Sequence, residues 1–228
     1  MASGERDGSA DGEQSAARFD RDFWDGRWSE VLREHAAQIA QRPPNAYLTA
    51  VAGGLAPGRA LDAGCGNGTE ALWLAARGWR VTAVDFSALA LALALAHGRS
   101  IAEGLGSDVA GRLEWVEGDL GLWTPAADHY DLVSSHYVHV AGAVGDMVAR
   151  LASGLAPGGT LLLVGHLPID PLTGAQTPAA DQVQVQVTVE DAVAVLDASR
   201  WVVSIGENRA RAVAGSGFDA VICAQRRA

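Results

Sequence analysis

The 228-residue sequence predicts an α/β fold: a doubly wound, mostly parallel seven-stranded sheet that ends in a C-terminal antiparallel hairpin. Two observations predict it. From residue 59 onward, short apolar runs alternate with helical segments, which is the pattern of parallel strands joined by crossover helices. After residue 198, two strand-like runs follow one another with no helical segment between them, and such neighbours pair as a hairpin at a sheet edge.

The strand and helix assignments follow from periodicity and from turn residues. Strands are predicted at 59–63, 79–84, 112–117, 130–134, 160–165, 200–206 and 217–224. Helices are predicted at 19–41, in one or two pieces, and at 45–53, 69–77, 87–98, 143–153 and 188–198. The alternating stretch QVQVQVTV at 182–189 is consistent with either an extra short strand or an extended lid segment.

The helix at 87–98 is predicted against a competing signal. Its leucines alternate with alanines, which is the period of a strand, yet Ala and Leu are among the strongest helix formers. Ser87 is a good N-cap and Gly98 a good terminator, so we predict a helix that ends at Gly98.

Composition narrows the class of ligand. A formal net charge of −10 disfavours nucleic acid, which is bound through a surplus of Lys and Arg. The two cysteines, Cys65 and Cys223, form no CxxC pair, so neither a disulfide framework nor a zinc or other metal site is predicted. No apolar stretch reaches the ~20 residues that a membrane span needs, and no signal peptide opens the chain. We therefore expect a cytoplasmic protein with a small-molecule ligand.

The stretch LDAGCGNGTE at 61–70 is the most informative motif. It lies between a predicted strand and a predicted helix, where open α/β sheets bind their ligands. Glycines there let a ligand approach the backbone closely. The dinucleotide fingerprint G-x-G-x-x-G does not fit, because its third glycine would fall on Thr69. Asp85 ends the next strand, 21 residues after Gly64, where an acid can accept hydrogen bonds from ribose hydroxyls.

The segment LDAGCGNGTEALWLAARGWRVTAVDFS resembles the nucleotide-binding half of class I S-adenosylmethionine-dependent methyltransferases. Further pieces match in the same order: EGDL at 117–120, YDLVSSHYVHV at 130–140 and LAPGGTLLLVGH at 155–166. FWDGRW at 23–28 is similar to the aromatic-rich N-terminal helix of small-molecule members. The resemblance covers residues 59–166 and implies a Rossmann-like methyltransferase fold, S-adenosyl-L-methionine as cofactor and methyltransferase activity.

The resemblance also implies the cofactor-binding residues. The turn would pass close beneath the cofactor at Gly64, Gly66 and Gly68. Gly64 and Cys65 would contact the methionine part. Acidic side chains would hold the amino group, the ribose and the adenine amino group (Asp62, Asp85 and Asp119). The remaining contacts would be to adenine and the methionine part (Phe86, Leu120, Ser135 and His136).

Two sets of residues have open interpretations. Phe23, Trp24 and Trp28 form either a lid that excludes water and faces the sulfonium or an apolar stripe that docks the N-terminal helix. Tyr137 lines the same pocket or belongs to the core.

Three histidines are candidate general bases, because their unperturbed pKa suits proton transfer near neutral pH. His136 and His139 follow the fourth strand and His166 follows the fifth, both on the ligand side of the sheet. Each is otherwise a hydrogen-bonded histidine that shapes the pocket. A thiolate acceptor would need no base, whereas a hydroxyl or protonated amine would gain ~10²–10⁴-fold from one.

We therefore predict a methyltransferase that acts on a small-molecule O, N or S acceptor. The alternatives are an enzyme of the same fold that binds the cofactor without transferring methyl, such as a cyclase or isomerase, and a non-catalytic cofactor-binding subunit. No nucleic-acid or membrane partner is expected, and a homodimer is possible. The predicted organisation is a disordered tail at 1–17 and one domain at 18–228, divided into a helical cap at 18–56, a cofactor-binding core at 57–166 and a substrate-side segment at 167–228.

Overall fold

The computed structural model describes residues 22–26, 28–30, 33, 42–105, 107–140, 142–167, 169–175, 187–211 and 217–228. The predicted tail at 1–17 lies outside the described residues, as do most of the alternating segment at 182–189 and most of the predicted helix at 19–41. Of that predicted helix, residues 22–26 and 28–30 are helical.

The strands of the described chain are β1 Arg59–Ala63, β2 Arg80–Asp85, β3 Leu113–Glu117, β4 Tyr130–His136, β5 Leu155–Leu167, β6 Trp201–Ala210 and β7 Phe218–Arg226. They form one sheet in the order β3-β2-β1-β4-β5-β7-β6. The first five strands pair in parallel, and β7 runs antiparallel to both β5 and β6. This arrangement confirms the predicted fold class.

After the N-terminal helical residues, the helices of the described chain are α1 Ala46–Ala52, α2 Thr69–Ala76, α3 Ala88–Leu105, α4 Ser107–Ala110, α5 Val144–Ser153 and α6 Val189–Val195. They bury apolar side chains on both faces of the sheet. One core layer joins the strands to α5 and α6, and the other joins them to α1, α2 and α3. Because the strands are covered on both sides, their inner residues are nearly continuous apolar runs.

The predicted end of the third helix at Gly98 is wrong, since α3 continues to Leu105. A glycine inside a helix costs only about 1 kcal/mol relative to alanine. The burial of Ala90, Leu91 and Ala94 on the inner side of the helix favours its position against the sheet. One glycine therefore does not suffice to end the helix, and the residues after it include the helix formers Arg99, Ala102 and Glu103.

The fifth strand also differs from its predicted bounds of 160–165, because it begins at Leu155. The sequence Pro157-Gly158-Gly159 was expected to make a turn before the strand, yet it lies within it. Leu155 pairs with Tyr130, and the register shifts before the next pairs form. The turn sequence thus produces an irregularity in the strand rather than a break, with Gly158 at a φ of +84°.

The structure places the carboxyl ends of β1, β2, β4 and β5 along one edge of the sheet, which we call the carboxyl edge. Since β7 is antiparallel to β5, its first residues lie at this edge too, with Phe218 opposite Leu167. The end of β6 lies beside them, with Ala210 opposite Phe218. Residues from the far C-terminus therefore reach the edge where the glycine turn lies.

Candidate functional site

The glycine turn leaves β1 and enters α2 through left-handed backbone. Gly64, Gly66 and Gly68 have φ values of +80°, +50° and +76°. L-residues other than glycine pay ~1–2 kcal/mol for this conformation. The turn is tied to β2, because the N–H groups of Gly64 and Cys65 both donate to Val84 O at 2.8 and 3.0 Å. Cys65 is buried, and burial raises the pKa of its thiol well above the ordinary value.

Side chains from elsewhere in the chain lie directly against these glycines. A Cβ on Gly64 would meet Val138 Cγ2 at 2.2 Å, and one on Gly66 would meet the Trp28 ring at 2.9 Å. A Cβ on Gly68 would meet the Trp115 ring at 2.6 Å. The turn therefore makes three close approaches that a larger residue would block. Val138 and Trp28, which make two of these approaches, come from the segment after β4 and from the N-terminal helical residues.

Asp85 holds the turn as well as ending β2. Its Oδ2 accepts from Gly66 N at 2.9 Å and its Oδ1 from Ser87 N at 3.0 Å. The carboxylate is 8% exposed, and burial raises its pKa. Each carboxylate oxygen has a further lone pair, so the predicted contact to a ribose hydroxyl is compatible with these bonds. The structure adds a role in shaping the turn to the predicted role in binding.

Asp62 has an unsatisfied oxygen beside the turn. It is 1% exposed, and its carboxylate accepts from the N–H of Ala71 in the first turn of α2. Its Oδ2 has no hydrogen-bond partner within the described part of the chain. Burial raises the pKa of Asp62 well above its usual range, and the charges of Glu70 and Asp85 add to this rise. A buried carboxylate oxygen of this kind is favourable only beside a hydrogen-bond donor or a cation.

The N-terminal helical residues lie over this region. The Trp28 ring covers Gly66, and the Trp24 ring lies 5.3 Å from the ring of His139. Asp25 Oδ1 accepts a short hydrogen bond from Ser87 Oγ, and that hydroxyl in turn accepts from Ala90 N at 3.2 Å. Ser87 is thus the predicted N-cap of α3 and also a contact to the N-terminal segment. Phe23 packs edge-on against Trp24, with ring centroids 5.4 Å apart.

The segment after β4 covers the first glycine. Ser135 is buried in the last part of β4, opposite Ala63. His136 has no partner on Nε2 within the described residues, and burial lowers its pKa to about 4. Tyr137 has a φ of +57°, which is unusual for a bulky residue. This backbone conformation directs the chain so that Val138 packs on Gly64.

The predicted adenine-side residues follow β2 and β3. Phe86 is partly buried directly after β2. Asp119 is exposed, and its Oδ1 accepts from Gly121 N at 2.8 Å. Leu120 is buried, with its Cδ1 3.7 Å from the position of a Cβ on Gly64. Leu120 therefore lies beside the first glycine of the turn, and the contacts of all three residues to adenine stay predictions.

His166 lies at the end of β5 within a polar cluster that sequence reasoning missed. Its Nδ1 is 3.0 Å from Asp219 Oδ1, and its ring stacks on Tyr137 with centroids 4.0 Å apart. Arg211 Nε donates to the same Asp219 oxygen at 2.8 Å, and Arg211 Nη2 contacts His166 Nδ1. Asp219 had one available signal: it is an isolated acid in the apolar run FDAVICA. Such an acid in a buried strand needs partners.

The three candidate histidines are therefore in different surroundings. His136 is desolvated at the end of β4, His139 lies against Trp24, and His166 is paired with a carboxylate.

No group of three or more His, Cys, Asp or Glu side chains in the described chain is arranged to hold a metal ion. Within the same residues, no helix has the length and apolar character needed to cross a membrane. An open depression between Arg59, Arg80 and Asp131 lies at the opposite edge of the sheet, remote from the turn.

The site residues fit a cationic adenosyl ligand better than a dinucleotide. Four carboxylates lie around the turn. The charges of Glu70 and Asp85 raise the pKa of Asp62. The charge of Asp25 raises the pKa of Asp85. A pyrophosphate would be repelled by this arrangement, whereas an ammonium and a sulfonium would be attracted. The buried oxygen of Asp62 and the bare left-handed turn give such a ligand a hydrogen-bond acceptor and room for close approach.

Comparisons with known proteins agree with this geometry. A family model described as a methyltransferase domain matches residues 60–159. Trans-aconitate 2-methyltransferase of Streptomyces avermitilis is 39% identical over 110 residues, which are 46% of this chain and 38% of that protein. Ribosomal RNA small subunit methyltransferase C of Alcanivorax borkumensis is 32% identical over 116 residues, which are 48% of this chain and 33% of that protein. The match thus spans less than two-fifths of the length of these curated relatives.

The fold is shared with solved methyltransferases. The crystal structure of magnesium protoporphyrin IX methyltransferase from Synechocystis PCC 6803, with bound S-adenosylhomocysteine, has a TM-score of 0.63 to this chain at 19% identity. The likeness covers 96% of this chain and 100% of that one. The domain match, the curated relatives and the architecture around the glycine turn agree with one another: residues 60–159 are similar to the methyltransferase-domain family, and the chain has the fold of a solved methyltransferase.

Proposed function

We propose that this chain binds S-adenosylmethionine over the glycine turn and transfers its methyl group to a small-molecule acceptor at the carboxyl edge. The observation that carries the proposal is the turn itself, with three left-handed glycines beside the buried, unpartnered oxygen of Asp62. Asp62 would accept from the ammonium of the methionine part and Asp85 from the ribose. Phe86, Asp119 and Leu120 would contact the adenine.

The bound sulfonium supplies a methyl group that is already activated for displacement. The chain's own contribution is to align the acceptor, to exclude water and, for a neutral acceptor, to take up a proton. Alignment of two reactants can supply about 7–11 kcal/mol. The aromatic side chains of Trp24 and Trp28 lie over the carboxyl edge, where they would exclude water.

A small molecule is favoured as the acceptor by charge. The net charge of −10 disfavours binding to a phosphate backbone. One curated relative is named for a small tricarboxylate and another for ribosomal RNA, so the two classes need a direct test. The three histidines at the carboxyl edge are the candidate bases, and their protonation matters only for acceptors that must lose a proton.

Binding is tested first, by calorimetry with S-adenosylmethionine, S-adenosylhomocysteine and NADH. We expect both adenosyl compounds to bind and NADH not to bind. Asp62→Asn removes a charged hydrogen bond and should weaken S-adenosylmethionine binding about 10- to 100-fold. Asp146→Asn, at an exposed position in the first turn of α5, removes the same charge away from the turn and serves as the matched control. Equal affinities for the two variants would exclude Asp62 from the site.

Transfer is tested by release of S-adenosylhomocysteine with panels of carboxylates, phenols, amines and thiols, and with structured RNA. Release with one small-molecule class supports the proposal. Release with RNA alone would overturn the acceptor class. Tight cofactor binding without release for any acceptor would favour the non-transferring enzyme or the binding subunit.

A further inference from the structure

Four chain segments converge at the carboxyl edge around Asp219. This residue is the second of β7, and its partners lie at the end of β5, after β4 and after β6. Its Oδ1 is 3.0 Å from His166 Nδ1 and accepts from Arg211 Nε at 2.8 Å. Its Oδ2 accepts from Tyr137 Oη at 3.2 Å. Both oxygens of one buried carboxylate thus hold three side chains in place.

Asp219 is costly to bury and is not required by the strand that contains it. It is 3% exposed, and the next five residues of β7, 220–224, are apolar and buried. A buried ion pair seldom adds net stability over apolar residues of similar size. Its location beside a histidine whose side chain is 29% exposed, at the edge where the acceptor would bind, is the arrangement of an orienting carboxylate.

We infer that Asp219 is a positioning residue that fixes His166 as the general base for an acceptor carrying an O–H or N–H group. The inference rests on the proposed function. Tyr137 supports the arrangement from the other side, because its ring stacks on His166 while its hydroxyl donates to Asp219. His166 is thereby restrained by a ring contact and by a carboxylate at Nδ1.

The step balances as follows. A lone pair on the acceptor oxygen or nitrogen forms the bond to the methyl carbon, and the carbon–sulfur bond breaks with its electron pair returning to sulfur. The acceptor's proton passes to Nε2, the ring nitrogen on the other side from Asp219. The imidazolium that results is stabilised by the carboxylate at Nδ1. This arrangement requires the proton of the neutral ring to lie on Nδ1 and to be donated to Asp219. Arg211 Nη2 can only donate, so its contact with Nδ1 favours the opposite tautomer, and the tautomer of the neutral ring decides between the two partners.

Charged groups around His166 act in opposite directions. Asp219 favours the protonated ring, and the Arg211 guanidinium in contact with Nδ1 disfavours it. Tyr137 faces the ring as a neutral phenol, because burial and the charge of Asp219 raise its pKa above its ordinary value. Tyr47 of α1 lies near the cluster, with Arg209 over its ring at 5.8 Å. Substitution of Asp219 and of Arg211 should therefore displace the pH dependence of the reaction in opposite directions.

The first measurement needs no acceptor. Nitrogen-15 chemical shifts of His166 are recorded in the full chain, with and without S-adenosylhomocysteine, and assigned with His166→Gln. We expect the Nδ1–H tautomer in the unchanged protein and a shift toward Nε2–H in Asp219→Asn, which has the same shape. Asp146→Asn, which removes an exposed carboxylate in the first turn of α5, serves as the control. An Nε2–H tautomer in the unchanged protein would overturn the inference even if the cofactor binds normally.

The second measurement uses an acceptor from the release screen. With a phenol, alcohol or amine, Asp219→Asn and His166→Gln should each lower kcat about 10²–10⁴-fold, with S-adenosylmethionine affinity unchanged within about twofold. The acid limb of the pH–rate profile should move to lower pH in Asp219→Asn and to higher pH in Arg211→Gln. An unchanged kcat in Asp219→Asn and His166→Gln, together with an unchanged pH–rate profile in Asp219→Asn and Arg211→Gln, would overturn the inference and leave the proposed function intact. If the unchanged protein does not bind S-adenosylmethionine, the proposed function is overturned instead.

Discussion

Substitution of Gly64 by alanine tests the close approach at the glycine turn. Gly64 has a φ of +80°, and a Cβ there would lie 2.2 Å from Val138 Cγ2. The substitution therefore adds backbone strain and a steric overlap at the same residue. The two contributions can be separated, because other glycines of the chain have only the first.

The magnitude follows from the two contributions. Left-handed backbone costs an L-residue ~1–2 kcal/mol. Forcing a methyl group into a packed site costs a further ~1–3 kcal/mol. We expect the free energy of unfolding of Gly64→Ala to fall by about 2–5 kcal/mol, which is the sum of both terms. Gly158→Ala is the matched control, since Gly158 has a φ of +84° and nothing within 4 Å of its Cβ position. It should lose only the first ~1–2 kcal/mol.

The assay is urea unfolding followed by tryptophan fluorescence for Gly64→Ala, Val138→Ala, the double variant and Gly158→Ala. Val138→Ala removes the overlapping methyl groups, so the double variant should be about 1–3 kcal/mol more stable than the sum of the single losses predicts. Additive losses, within about 0.5 kcal/mol, would refute the overlap. Equal losses for Gly64→Ala and Gly158→Ala would show that strain alone is responsible.

Two further predictions concern buried histidine and helix packing. Burial lowers the pKa of His136 from 6.5 to about 4, so between these values the unfolded chain binds more protons than the folded one. The stabilising effect of the neutral ring is thus complete above pH 6.5 and is lost as the pH falls toward 4. Urea titrations from pH 4 to pH 7 should show a smaller loss for His136→Gln than for the unchanged protein; parallel curves would contradict the shift. Gly98→Ala should stabilise α3 by ~0.5–1 kcal/mol, since its Cβ would meet Leu72 Cδ2 at an ordinary 3.4 Å, and a lower thermal midpoint would refute this.

The sequence predicts the sheet well because each strand carries its own signal. Residues 59–63 are the observed bounds of β1, and the hairpin of β6 and β7 is predicted from the absence of a helix between two apolar runs. The errors occur at turn residues inside longer elements. Gly98 does not end α3, because one glycine costs a helix only about 1 kcal/mol and helix formers follow it. Pro157-Gly158-Gly159 lies inside β5, because Leu155 already pairs with Tyr130 before the register shifts.

The site is predictable where its residues are close in the chain. The glycine turn, Asp62 and Asp85 follow from one strand–turn–helix–strand segment. The cluster around His166 is not predictable in this way, because Asp219 is 53 residues further along the chain. Only the antiparallel pairing of β5 and β7 brings the two residues opposite each other. The position of Val138 depends likewise on the left-handed backbone of Tyr137, which no local pattern indicates.

Tyr137 and Val138 connect the two halves of the site. Tyr137 keeps a left-handed backbone that costs ~1–3 kcal/mol, and such strain persists only when neighbouring contacts fix it. Those contacts are the stack on His166 and the hydrogen bond to Asp219, both on the acceptor side. The next residue packs on Gly64, on the cofactor side. The backbone that places Val138 on the glycine turn therefore also places Tyr137 in the cluster around Asp219, so one peptide unit joins the two halves of the site.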